Sequence, residues 1–580
     1  MNEKSNTLRS KFSRLKSETD TALGAFTPLE RFVFSIAIIV SIVAVLTMLF
    51  KIDDHFLVSI PANGGNLSEG VVGTPRFINP LLAITDVDHD ITSLVYRGLM
   101  KKDSTGAIVP DLAESYTVSD DGLTYTFKLK DTAFQDGEKI TADDVLFTIK
   151  SAEDSILKSP ERVKWSGILV QAPDEQTVVF TLKRAYAPFL QNAVLGILPK
   201  HIWSKIPYES WAYSDYNTKN AVGNGFYKIK SISQNSSGIP SQYVLNAVHP
   251  KNETAPRIST VTIHFYANED AVISAYQNGD IDVAGGIDPE NAQILEKDGA
   301  TILQAQLPRT FGLFFNQSQA KIFTDAKVRQ AISLAIDKDA IVNTVLKGYG
   351  SINYGPIPGS SLIHGTSVTT QKTSSPEQIK AILEKDGWKQ GGDGIYTKQM
   401  TKKTTTRLSF EIATNDTPEL TQAVNLIAEN LRAVGIEAVP KVYETGSLNQ
   451  DIIRPRKFQA LFFGEIISNQ SDVYAFWHSS QRNDPGLNIS GYANAKVDKL
   501  LEQGLSTLDT DNQNQIYTAF EKEINTDIPA VFVYSPSYIY ITRPELTGIT
   551  LGHIDTPRDR FASINSWYLT IDRAWKIFAR

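Results

Sequence analysis

Three aspartates at alternate positions, Asp86, Asp88 and Asp90, have the rhythm of a calcium loop, which presents carboxylate oxygens to a hard cation. Such a loop needs Gly at its sixth position and Glu at its twelfth, and here Ile91 and Arg97 stand there. The three acids therefore read as the start of a helix, favoured by the positive end of its dipole. The eight histidines, at 55, 89, 201, 249, 264, 364, 478 and 553, include no pair spaced i, i+4, so no zinc site is supported. The chain has no cysteine, which excludes a thiolate metal site, a disulfide framework and a Cys nucleophile. It also lacks a G-x-S-x-G elbow, a P-loop and a G-x-G-x-x-G string, so no catalytic residue, metal or cofactor is expected.

Two residues offer binding chemistry instead. Arg329 lies four residues after Asp325 on a predicted helix, where a guanidinium serves either a ligand carboxylate or an internal ion pair. Asn316 closes the apolar run GLFFN, and strand ends face the crevice in α/β sheets, which makes it a candidate ligand contact.

The elements that must position these residues are mixed. Residues 123–129 alternate apolar and polar after an Asp-Asp-Gly turn and read as a half-buried strand. Thr141 with Asp144, and Ser375 with Gln378, form capping boxes that start helices. Residues 418–434 carry Leu420, Val424, Ile427 and Leu431 on one face, stop at Gly435 and lie between two strand-like runs, which predicts a β-α-β unit.

With 580 residues and 42% hydrophobic composition, the bulk is a globular body of several domain-sized units. Residues 1–51 carry seven Lys/Arg and four Asp/Glu. Of the chain's 57 basic and 64 acidic residues the remainder holds 50 and 60, a net charge of −10 that argues against a nucleic-acid partner. Residues 32–50 are uncharged, and at 1.5 Å per residue they span roughly 28 Å, the thickness of a bilayer core. Basic residues dominate the segment before them, whereas Asp53 and Asp54 follow, so the positive-inside rule places residues 1–31 in the cytoplasm and the body outside. The apolar run is too long for a cleaved signal, and it reads as a transmembrane signal-anchor followed by a linker at 51–65.

Several ordered segments within about residues 70–545 resemble one family. VPDLAESYTVSDDGLTYTFKLKDTAFQDGEKITADDVLFTI is the longest, and AVGNGFYKIK, FFNQSQAKIFTDAKVRQAISLAIDKDAIVNTVLKGYG, YANAKVDKLLEQGLSTLD and AVFVYSP follow in order. Together they are similar to extracellular solute-binding proteins of family 5, the dipeptide- and oligopeptide-binding proteins of ABC transporters. The resemblance implies an α/β, two-lobed periplasmic-binding-protein-like fold (type II, cluster C-like) with a third, smaller domain. On that pattern lobe I comprises 66–102, 221–308 and 526–580, the small domain 103–220, and lobe III 309–525. It further implies capture of a peptide or peptide-like solute without catalysis, by a monomer that serves ABC permease subunits in the membrane. Rival readings are an exported peptide sensor or chaperone on the same fold, and a surface hydrolase.

In this family an Asp in a Gly-Trp-x-x-Asp segment holds the peptide amine. Aligning Gly464 with the family glycine places Glu465 at the Trp and neutral Ser468 at the Asp. Glu465 or Asp472 is then the carboxylate available to replace it, and Trp477, with Tyr474 and Phe476, either lines a pocket or packs in the core.

Overall fold

The computed structural model describes residues 26–249, 253–359, 374–401 and 403–575; most of the expected cytoplasmic tail, residues 1–25, lies outside them. A 29-residue helix, Pro28–Phe56 (α1), starts where Thr27 and Glu30 cap each other. The Thr27 amide donates to Glu30 Oε2 at 2.8 Å and the Glu30 amide to Thr27 Oγ1 at 3.4 Å. Its stretch Pro28–Met48 is long and apolar enough to cross a bilayer. Phe32, Val33, Phe34, Ile39, Val40 and Ile42, which point in all directions from the helix axis, are exposed, unlike those of a core helix.

Over 51–65, where a tether is expected, α1 continues to Phe56 and Leu57–Pro61 (β1) pairs antiparallel with the last strand, Ile571–Trp575. Leu57 lies opposite Trp575 and Pro61 opposite Ile571. The apolar, β-branched content of Leu-Val-Ser-Ile favours a strand, and only residues 62–65 keep a linker's composition. The last strand therefore departs from the lobe expected at 526–580. It forms one compact unit with β1, while Asn63–Leu569 forms another.

Asn63–Leu569 is organised by a 12-stranded sheet. From one edge its order is Glu437–Tyr443, Ser409–Asn415, a central trio, then Val283–Gly285, Asn66–Val72, Thr260–Tyr266, Pro240–Ala247 and Tyr227–Gln234. In chain order the trio is Arg309–Phe315 (β2), Ala460–Ile466 (β3) and Ala530–Thr542 (β4); within the sheet β2 lies between β3 and β4. β4 joins the two lobes. Its residues 530–534 pair with β2 and its residues 537–542 with Thr301–Gln306. At roughly 3.3 Å per residue its 13 residues reach about 43 Å, long enough to serve both lobes.

The second lobe packs both sheet faces. Leu313, Phe315, Phe462 and Val531 meet the crossover helix Pro418–Ala433 on one side, whereas Phe314, Leu461 and Phe532 meet Trp477 and Tyr517 on the other. The expected β-α-β unit is present. Ser409–Asn415 and Glu437–Tyr443 run parallel, and Gly435, at φ +83°, ends the intervening helix in a conformation that suits glycine. Both capping boxes also form, at the starts of Ala142–Glu153 and Pro376–Lys385.

A four-stranded antiparallel sheet, Ala113–Val118, Thr124–Leu129, Thr177–Thr181 and Leu169–Asp174, shares one continuous core with the first lobe. A buried cation holds that lobe together. Arg560 Nε donates to Glu69 Oε1 at 2.6 Å, and its two terminal nitrogens donate to the two Asp90 oxygens at 2.8 and 2.7 Å. Asp88 accepts the amides of Arg76, Phe77, Ile84 and Thr85, so two of the three alternating aspartates are structural.

Candidate functional site

Residues 307–308, the crossing, link strand Thr301–Gln306, which pairs with one end of β4, to β2, which begins at Arg309 and pairs with the other end. β3 runs antiparallel to β2, with Ile466 opposite Arg309 and Glu465 opposite Thr310, and the Ile467 amide donates to the Pro308 carbonyl at 2.7 Å. Residues 465–467 therefore lie level with the crossing between lobes. Gly464 is required beside them, because a Cβ there would approach the Phe311 ring to 2.7 Å, and that ring stacks on Tyr534.

Glu465 is 1% exposed, and neither carboxyl oxygen has a hydrogen-bond partner among the described residues. Burial, with no opposing charge, pushes its carboxyl well above the usual carboxylate range. Its cross-strand neighbour Thr310 is buried too and accepts from the Asn353 amide nitrogen.

Just beyond β3, helix Gln470–Trp477 (α2) is capped by its own residues. Asn469 Oδ1 accepts the Ser471 and Asp472 amides, and Asp472 Oδ2 accepts the Ser468 and Asn469 amides at 2.8 and 3.1 Å. Burial raises the Asp472 carboxyl above its usual range, the two amides oppose this, and the Asp555 charge raises it further while Lys164 opposes.

The expected residues divide into two groups. Glu465, Ser468 and Asp472 gather within eight residues at the crossing, whereas Trp477 packs in the core and Asn316 lies at the other end of β2. Trp477 is 1% exposed and packs on Phe532 at 5.7 Å and Phe314 at 6.2 Å between ring centroids. Asn316 follows the end of β2 remote from the first lobe, beside Pro529 at the start of β4. Its side chain donates to the Arg456 carbonyl and accepts from Ser318, which holds a turn. The strand-end rule concerns parallel strands, and β2 is antiparallel to both neighbours, so its carboxyl end points away from the crossing. Arg329 clamps the Asp527 and Phe323 carbonyls, and with Asn316 and Tyr492 it lines a concavity of about 510 Å³ at that remote end.

Sequence reasoning missed the opposing side. Lys102 is ion-paired with Asp555 and, at 3.5 Å, with Asp559, while His553 Nε2 lies 2.8 Å from Asp555 Oδ1. The small-sheet region reaches the second lobe directly. Tyr186 Oη lies 2.6 Å from Ser471 Oγ, and the Ala187 amide donates to the Leu505 carbonyl at 2.9 Å. Tyr349 donates to Glu296 at 3.2 Å, a further contact between segments on either side of residues 307–308 in the chain. Among the described residues no group of three or more His, Asp or Glu is arranged to hold a metal ion.

This architecture matches known proteins. The family model for the middle of bacterial extracellular solute-binding proteins, family 5, covers residues 107–486. The oligopeptide-binding protein AppA of Bacillus subtilis is 30% identical over 88% of this chain and 92% of its own length. Its structure, described in complex with a nonapeptide, superposes with a TM-score of 0.64 over 88% of this chain and all of that one, at 28% identity. NikZ of Campylobacter jejuni, described in complex with Ni(L-His), gives 0.66 over 87% and 99%, at 26% identity. These relatives are substrate-binding proteins rather than enzymes, and they share the two-lobed fold. The chain belongs to the bacterial extracellular solute-binding proteins of family 5.

Proposed function

We propose that the protein captures a peptide or peptide-like solute between its two lobes and passes it, chemically unchanged, to ABC permease subunits. The observation that carries this reading is the contact beside the crossing, where Tyr186 of the small-sheet region meets Ser471 within the segment Glu465 to Asp472. The nonapeptide described with AppA supports the ligand class. On this reading the lobes are 66–102 with 221–308 and the chain from 526, then 309–525, with 103–220 as the small domain. Closure turns on residues 307–308 and on β4. α1 anchors the protein as a monomer with its body outside the cell, which raises its effective concentration beside the permease.

The test is mass spectrometry of ligand released from the full chain purified in detergent without denaturant. Peptides of mixed sequence, retained intact, are the expected result. Cleaved peptides would sink the binding reading in favour of a hydrolase. A nickel complex in place of peptide would move the ligand toward that described with NikZ. Anchoring is checked by membrane fractionation, where alkaline washing leaves an integral protein in the pellet.

A further inference from the structure

We infer that Glu465 is the acceptor for a cationic group of the ligand, an ammonium or a guanidinium, in place of the carboxylate missing at Ser468. The inference rests on the peptide-capture reading and deepens it. Its ground is an accounting of carboxylates at the crossing. Asp472 is committed to the amides of Ser468 and Asn469, and Asp555 to Lys102 and His553. Glu465 alone among these three has neither oxygen engaged, although it is the most deeply buried. A buried acid without a partner is expensive to keep, on the order of 1–3 kcal/mol for the unmade hydrogen bonds alone. A packing role gives no account of it, since an apolar side chain of that volume would fill the position without the penalty.

Its placement fits a ligand contact. Glu465 lies opposite Thr310, three residues after the crossing, and one residue before Ile466, which is exposed. Within the same segment Ser471 meets Tyr186 of the small-sheet region. Opening the lobes parts that contact and gives ligand access to the crossing.

Among the described residues no cation is engaged with Glu465: Arg309 pairs with Ile466 and so lies on the opposite face of the sheet from Glu465, which pairs with Thr310, and Lys338 donates to the Asn353 carbonyl. Glu521 lies against Gly355, whose amide meets Asn353, and Asp472 is held by its cap. In the unliganded protein burial without an opposing charge favours the protonated carboxyl of Glu465. When a cation arrives the carboxyl O–H bond breaks, the proton leaves to solvent, and the carboxylate accepts N–H bonds from the ligand.

Three random pentapeptide libraries test this on the full chain in detergent: free amine without Lys or Arg, N-acetylated without Lys or Arg, and N-acetylated with one Lys. The wild type is expected to retain either cationic library at least about tenfold over the neutral one, the ratio that 1.4 kcal/mol provides. Glu465→Gln and Glu465→Leu should still retain peptide but lose that preference, and whichever cationic library is favoured identifies the amine or the side chain as the source. A near-stoichiometric proton release on binding, absent in Glu465→Gln, is the second expected readout. Retention without charge preference in the wild type, or an unchanged preference in both variants, overturns the inference and leaves peptide capture standing. No retention from any library overturns both.

Discussion

Two buried acidic positions show what a partner changes. In the first lobe Arg560, 1% exposed, ties Glu69 and Asp90 together, so strand Asn66–Val72, helix Asp86–Val95 and the segment 557–566 meet on one guanidinium. In the second lobe Glu465 is equally buried and has no partner. Both positions remove an acidic group from water, which is unfavourable, but only the first recovers Coulombic and hydrogen-bond energy inside the same chain. The first is a fastener for the scaffold, and the second is an unmet demand at the place where the lobes cross.

The contrast is broken most severely by removing the fastener. Arg560→Met leaves two buried carboxyls without their cation, and the expected loss is about 3–5 kcal/mol of stability. Thermal unfolding of the full chain checks it, and a shift in Tm within error would mean that the Arg560 cluster holds nothing together. Glu465→Gln should act in the opposite direction at pH 7, raising stability because the unfolded wild type gains by ionising there and the unfolded variant cannot.

The pH dependence of that gain follows from the direction of the shift. The carboxyl is raised in the folded state and titrates near 4.3 when unfolded. Below about pH 4.3 both states of the wild type hold the proton, and the two proteins should differ least. As pH rises toward the folded value the unfolded state ionises while the folded state does not. The wild type then loses up to about 1.4 kcal/mol per pH unit that Gln, always neutral, does not lose. A difference in Tm that stays flat from pH 4 to 7 would show Glu465 to be ionised and paired.

How much of this was legible in the sequence depended on distance along the chain. The boxes Thr141 with Asp144 and Ser375 with Gln378, and the unit 409–443, are local, so their residue types and spacing were sufficient. The Arg560 cluster joins residues 470 and 491 positions apart, and Lys102 meets Asp555 across 453, so no spacing rule could propose them. Asn316 lies at the end of β2 remote from the crossing, a matter of strand direction that depends on β3 and β4 rather than on GLFFN itself. Glu465 was visible only as the occupant of a position where the family has Trp. Its lack of a partner required the structure.

A smaller effect separates Asp472 from Glu465. Asp472→Asn weakens the cap of α2 and should cost about 1 kcal/mol in stability. The charge preference of the bound peptide should be unchanged. If Asp472→Asn removed that preference and Glu465→Gln did not, the ligand acceptor would be Asp472.

The smallest expected effect concerns the contact that accompanies closure. Tyr186→Phe deletes only the hydroxyl that meets Ser471 Oγ at 2.6 Å, while the Ala187 to Leu505 bond remains. Both hydroxyls are hydrated when the lobes part, so the net loss is about 0.5–1.5 kcal/mol, carried by the closed state alone. A ligand that leaves only after opening should then dissociate roughly 2- to 13-fold faster, with association little changed. Stopped-flow dissociation of retained peptide from wild type and variant reads this directly. An unchanged off-rate would mean that Tyr186 and Ser471 meet without holding the lobes, and that closure depends on Glu465 and the ligand itself.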